Sequence, residues 1–231
     1  TFANHTVLPE IALAKIRPDA PFDKVCYIGC GVTTGIGAAL NIARVEPGSS
    51  AAVIGCGGVG LAAINGAAIA GASMVIAVDM VDSKLELAKA VGATHTINAR
   101  SGNAVGEVLE LTKGGCDYTF EAIGLKATAE QAFQMLCSGG TATIIGMIPV
   151  GTMVELHGVD FLMEKKIQGS NMGSNRFRID MPRFVDFYLA GKLHLDEMVS
   201  KRVGLEDINQ AFTDMKSGAV ARSVIVFDGV A

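Results

Sequence analysis

The stretch Ala51-Ala52-Val53-Ile54-Gly55-Cys56-Gly57-Gly58-Val59-Gly60-Leu61 constrains the fold of this chain more than any other. An apolar run breaks into glycines and resumes as an alanine-rich segment, which predicts a strand, a tight turn and a helix. Gly55, Gly57 and Gly60 fit the spacing G-x-G-x-x-G. The first glycine of that pattern permits the turn, the second lets backbone approach a pyrophosphate, and the third lets the helix sit close on the sheet. The N–H groups of Gly58 and Val59 at the helix start would face the anion, and the helix dipole favours its negative charge. With 28 glycines among 231 residues such a match also arises by chance, so the order of the surrounding elements has to carry the argument.

That order alternates. The helix after the glycine turn runs from Val59 to Ala70 and stops at Gly71. Met74–Asp79 reads as a second strand, followed by a helix with Ser83 and Glu86 in capping-box spacing. Thr94–Asn98, Asp117–Ile123 and Thr141–Gly146 read as further strands. They are separated by helices over Ala104–Thr112 and Thr128–Leu136, with Gly139-Gly140 as a turn. Near-continuously apolar strands alternating with helices imply an α/β fold, a doubly wound parallel (Rossmann) sheet covered on both faces. In such sheets ligands sit beyond the strand C-termini at the switch point. Gly55, Asp79, Glu121 to Gly124 (including Ile123) and Ile145-Gly146-Met147 fall at strand ends and would line one crevice. Before this region, 6–9 and 11–16 read as short extended pieces, and Ile36, Leu40 and Ala43 share one helical face. After it, 166–170 reads as a sixth strand, Pro182 as a helix start, Leu205–Met215 as a helix stopped by Gly218, and Ser223–Phe227 as a closing strand.

Asp79 lies 19 positions after Gly60 (79 − 60). An acid there accepts hydrogen bonds from a ribose 2′-hydroxyl and repels a 2′-phosphate, which selects NAD over NADP. Other chemistries find little support. The net charge of −4 and the lack of a Lys/Arg cluster disfavour nucleic-acid binding. The apolar stretch from Ala51 to Val78 is long enough to span a membrane, but its glycines and polar interruptions favour two strands around a helix, so no membrane partner is expected. Cys26, Cys30, Cys56, Cys116 and Cys137 form no C-x-x-C pair and are odd in number, which suits a reducing cytoplasm. His5, His95, His157 and His194 show no ligand spacing, and no nucleophile elbow is present.

The runs Gly29-Cys30-Gly31-Val32-Thr33-Thr34-Gly35-Ile36-Gly37, Gly55-Cys56-Gly57-Gly58-Val59-Gly60, Val78-Asp79, Gly92-Ala93-Thr94 and Phe120-Glu121-Ala122-Ile123-Gly124, with the ending Gly218 to Phe227, together resemble the zinc-dependent medium-chain alcohol dehydrogenases. The likeness covers the whole chain and is similar to the later two-thirds of such a subunit. It implies the end of a first catalytic-domain segment at 1–31, an NAD-binding Rossmann domain at 32–172 and a returning catalytic segment at 173–231, the second domain being mostly missing. It further implies that Cys30 is a ligand of a catalytic zinc and that Thr34 lies beside the nicotinamide. On the same likeness Lys84 lies near the adenosine ribose and Arg222 reaches the pyrophosphate.

The other catalytic-zinc ligands and the structural-zinc lobe of that family match nothing here, and the chain opens without methionine, so it reads as a processed chain or fragment. A chain with one zinc ligand is expected to bind NAD but to turn over little. The resemblance implies an alcohol or aldehyde substrate and a homo-oligomer, dimer or tetramer, with Val154 to Met163 pairing across subunits. A thiol-dependent formaldehyde dehydrogenase of the same family and a non-catalytic nucleotide-binding or oligomerisation module are the alternatives. Met147 and Met172 are candidate pocket walls, though core packing accounts for either.

Overall fold

The computed structural model describes residues 2, 3, 5–217 and 222–227. It divides into two compact units, one formed by Cys30–Asn175 and the other by Thr1–Gly29 with Arg176–Ala231. A four-residue helix α1 (Phe22–Val25) is followed by a helical run in which α2 (Thr33–Gly37) is flanked by π-helical turns over Ile28–Val32 and Ala38–Ala43. The helical spacing of Ile36, Leu40 and Ala43 is therefore real, with widened turns at both ends. The extended pieces expected over 6–9 and 11–16 do not form strands; Glu10–Ala12 is a single 3-10 turn.

The unit of residues 30–175 is built on six parallel strands: β1 (Ser50–Ile54), β2 (Met74–Asp79), β3 (His95–Asn98), β4 (Cys116–Glu121), β5 (Leu136–Ile144) and β6 (Lys166–Gly169). Their order is β3-β2-β1-β4-β5-β6. Between them run α3 (Gly58–Ala70), α4 (Asp82–Ala90), α5 (Ala104–Thr112) and α6 (Lys126–Gln134). β1 is hydrogen-bonded on both edges, to β2 and β4, and Ala51 to Ile54 are buried. Such a strand must be apolar on both faces, which is why Ala51 to Ile54 show no alternation. On one face Ala52, Ile54, Ile76 and Val78 join Val108 of α5 and Phe133 of α6 in a single core. α3 is buried from Gly60 to Ala67 because it packs on β1 and β2 and against α2. From β1 the chain builds outward through β2 and β3, then crosses to β4 on the other side. The switch point therefore lies between β1 and β4.

Several boundaries differ from expectation, among them the helix expected over Thr128–Leu136, which runs Lys126–Gln134, and three more. β5 begins at Leu136, not Thr141: Leu136 pairs with Cys116 and Thr141 with Tyr118, and a register shift between the two pairs absorbs the extra residues on β5, Gly139-Gly140 among them. The capping box at Ser83 is not made: the N-cap of α4 is Val81, two residues earlier, with no side-chain cap bond, and Glu86 pairs with Lys89 at 2.7 Å. The helix expected to start at Pro182 begins at Phe177.

That helix belongs to the second unit, which holds α7 (Phe177–Leu189), β7 (Lys201–Val203), α8 (Ile208–Ser217) and β8 (Ser223–Ile225), with β7 and β8 pairing in parallel. The buried Asp180 accepts the backbone N–H of Arg176 at 2.8 Å and the Arg176 guanidinium at 3.1 Å. This fixes the start of α7 upstream of the proline. Segments distant in sequence are tied by Lys24–Asp196 (2.5 Å), Arg202–Asp23 (2.7 Å) and the Tyr27 hydroxyl donating to the Leu195 carbonyl. Gly218, the expected stop of α8, lies outside the described residues.

Candidate functional site

The C-terminal ends of β1, β2, β4 and β5 converge on the glycine turn. Gly55 has a φ of +95°, open to glycine at little cost, and a Cβ there would meet Ile123 Cγ1 at 2.5 Å. A Cβ on Gly60 would run into the Gly55 carbonyl oxygen, so this glycine lets α3 start directly over the turn. Gly57 has open space around its missing side chain, as a backbone that receives a ligand requires. It is also the N-cap of α3 and supplies no side-chain cap. The first amides of α3, those of Gly58, Val59 and Gly60, precede any intrahelical acceptor, and the helix dipole adds to their positive field. An uncapped N-terminus on an open glycine turn is a fitting seat for a phosphate.

Asp79, at the end of β2, accepts from the Cys56 backbone N–H at 2.8 Å and from the Val81 N–H at 3.0 Å, one bond to each carboxylate oxygen. The turn and the acid are thus mechanically joined. A carboxylate has about four acceptor sites, so two remain for a ribose. Lys84 on α4 is close enough for its charge to act on the Cys56 thiol. Burial, followed by the negative charge of Asp79, pushes that thiol up to about 12. Cys56 is a packing residue and not a nucleophile.

Across β1, a Cβ on Gly124 would meet the Met147 carbonyl oxygen at 2.7 Å, and the Ile145 and Gly146 N–H groups donate to the Glu121 carbonyl at 2.8 and 3.0 Å. Gly55, Gly57, Gly58, Val59, Gly60, Asp79, Ile123, Gly124, Ile145, Gly146 and Met147 accordingly stand at the C-terminal ends of β1, β2, β4 and β5 and the start of α3, with Lys84 on α4. Met147 is 91% exposed, which removes core packing as its explanation. Thr34 stands close by, because the next residue, Gly35, lies against the Val59 carbonyl in the first turn of α3. Its hydroxyl donates to the Cys30 carbonyl at 2.7 Å and lies 3.7 Å from Met172 Sδ. Arg222 belongs to the other unit, with its guanidinium 5.7 Å from the centroid of the Tyr27 ring. Glu121 escaped the sequence reading except as a strand end. The available signal was an ionisable residue closing the stretch Thr119-Phe120, which is written for burial.

Cys30 is exposed. Among the described residues no group of three or more His, Cys, Asp or Glu side chains is placed to hold a metal, so they do not by themselves fit a catalytic zinc.

A family model described as zinc-binding dehydrogenase matches residues 58–189, more than half of the chain. The chain belongs to the zinc-dependent medium-chain alcohol dehydrogenase family. The chain is 44% identical over 236 residues to the "Alcohol dehydrogenase class-3" of Cereibacter sphaeroides, covering 98% of this chain and 63% of that protein. It is also 44% identical to the "S-(hydroxymethyl)glutathione dehydrogenase" of Paracoccus denitrificans, over 98% and 63% of the two chains. The crystal structure of benzyl alcohol dehydrogenase from Acinetobacter calcoaceticus superposes with a TM-score of 0.89 at 36% identity, over 92% of this chain and 59% of that one. The chain thus spans somewhat less than two thirds of the length of these relatives.

Proposed function

We propose that this chain binds NAD in the crevice between β1 and β4. The pyrophosphate lies on the amides of Gly58, Val59 and Gly60, the adenosine ribose on Asp79 with Lys84 beside it, and the second nucleotide along Ile123, Gly124 and Ile145 to Met147. The observation that carries this reading is the uncapped start of α3 on an open glycine turn that is hydrogen-bonded to Asp79. When bound, the dinucleotide supplies the hydride acceptor. The chain's own residues hold it: amides and helix dipole neutralise phosphate charge, and Asp79 sets the ribose. Thr34, on α2 against the first turn of α3, would border the nicotinamide.

In the whole protein the reaction is oxidation of an alcohol to an aldehyde or ketone. Cys30 would contribute one zinc ligand. Because the described residues form no zinc site, no step is assigned to the metal, and the chain by itself is expected to bind NAD with little turnover. The relative from Paracoccus denitrificans favours a second reading, oxidation of a thiol–formaldehyde adduct. Absorbance at 340 nm with the whole protein separates the two: NADH formed with simple alcohols supports the first, and NADH formed only with formaldehyde plus a thiol supports the second. Calorimetric titration that detects no NAD binding would refute both.

The reading extends to a homo-oligomer. β6 is the last strand of the sheet, and Val150, Met153, Val159 and Leu162 in the segment that leads into it are exposed apolar side chains. No helix among the described residues is long and apolar enough to cross a membrane.

A further inference from the structure

The end of β4 carries a buried acid that the dinucleotide reading leaves without a task. Glu121 is fully buried, and its two carboxylate oxygens are treated unequally. Oε1 accepts from the Ile123 N–H at 2.9 Å, the Gly124 N–H at 2.8 Å and the Thr128 hydroxyl at 2.7 Å. Oε2 is buried without a hydrogen-bond partner among the described residues. The Glu121 carbonyl meanwhile accepts from Ile145 and Gly146 on the neighbouring strand. One residue therefore ties together the turns at 121–124 and 145–147. A Cβ on Gly146 would come 2.5 Å from Oε2, so the free oxygen lies where the two turns meet.

A carboxylate buried with one oxygen unsatisfied costs stability, which an apolar residue of similar size would not. The arrangement pins two main-chain amides and a turn. Its place in the sheet shows what the pinning serves. β1 has β2 on one side and β4 on the other, so Asp79 and Glu121 lie on opposite sides of the switch point. With a pyrophosphate over α3 and its adenosine ribose at Asp79, the other half of a dinucleotide must run over the ends of β4 and β5.

The geometry points to Glu121 as a positioning residue for the nicotinamide half of the cofactor. It holds the two turns at the separation that receives that half, and the adenosine half depends on Asp79. This rests on the dinucleotide reading above.

The test is calorimetric titration of wild type, E121A, E121Q and T128V with NAD and with ADP-ribose, which lacks nicotinamide. Amide hydrogen exchange at Ile123 and Gly124 is followed in the same ligand-free proteins. E121Q keeps an acceptor at the Oε1 position and should stay within about twofold of wild type for both ligands. Loss of a charged acceptor in E121A should weaken NAD about tenfold and leave ADP-ribose within about twofold. T128V removes one of the three donors and should weaken NAD about threefold; if E121A does not fold, T128V decides by the same criterion. Exchange at the two amides should speed up in E121A and T128V but not in E121Q. Equal loss for both ligands, no loss, or unchanged exchange overturns the role of Glu121 and leaves the dinucleotide site standing. A wild-type chain that binds neither ligand overturns the dinucleotide reading and this inference with it.

Discussion

Asp79 does two jobs with one carboxylate: it braces the glycine turn through the Cys56 N–H and offers its remaining lone pairs at the end of β2. Replacing it by alanine should weaken NAD binding about ten- to a hundredfold, the range for losing hydrogen bonds to a charged group. The same change should raise NADP affinity relative to NAD, because the repulsion of a 2′-phosphate goes with the charge. Calorimetry with both cofactors on wild type and D79A checks this; an unaltered NAD-to-NADP ratio would contradict the ribose role. The cysteines make a separate residue-scale prediction. Cys56 and Cys116 are buried, and burial pushes both thiols up to about 12, whereas Cys30 is exposed. Native alkylation at pH 8 followed by peptide mass mapping should modify Cys30 and spare Cys56 and Cys116 until the protein is unfolded.

At the scale of elements, the contact of α2 with α3 decides whether the start of α3 is held in place. Gly35 sits where a Cβ would strike the Val59 carbonyl and the Ala63 amide, both main-chain atoms of α3. G35A should therefore destabilise the chain by about 1–3 kcal/mol, as overpacking does, and should lower NAD affinity as well because Val59 is in the phosphate turn. Urea denaturation read by circular dichroism measures the first effect. At the other end of the sheet Asp117 accepts both the Ser50 N–H and the Ser50 hydroxyl at 2.7 Å, which sets the register of β4 on β1. Burial works to raise its pKa, but the Ser50 bonds outweigh it and hold the carboxyl below its usual range. A depressed carboxylate contributes stability above its unfolded pKa, near 4, and loses it as pH falls through the lower folded value. D117N should thus be less stable than wild type at pH 7, and the gap should close as pH drops below about 4. Melting temperatures across pH 7 to 2 test this; a constant gap would mean that the charge contributes nothing.

On the scale of the whole molecule, the described residues carry the turn, acid and strand ends of the proposed dinucleotide site, and no group of three donors for a metal. Zinc added to the isolated chain should bind substoichiometrically, with turnover close to background while NAD binding remains. Elemental analysis and the 340 nm assay read the two quantities separately, and strong alcohol oxidation by the zinc-treated chain would overturn the expectation.

What the sequence determined by itself was local. The glycine spacing, the strand at 74–79 ending in Asp79, and the alternation of apolar strands with helices are all read within windows of a few residues, where periodicity and turn chemistry act directly. The whole of α5 was legible because both its ends carry local signals. Tertiary structure decided what depends on partners far along the chain. The start of α7 is set by Asp180 gripping Arg176, which outweighs the usual preference of Pro182 for a first turn. The true start of β5 depends on a register shift against β4, twenty residues earlier. Glu121 shows the difference most clearly: in sequence it is one acid at the end of an apolar strand, and only when β5 is laid beside β4 do its carboxylate and carbonyl join two turns. Hydrogen-bond partners across a parallel sheet are chosen by strand order and register, and neither is written in the residues of a single strand.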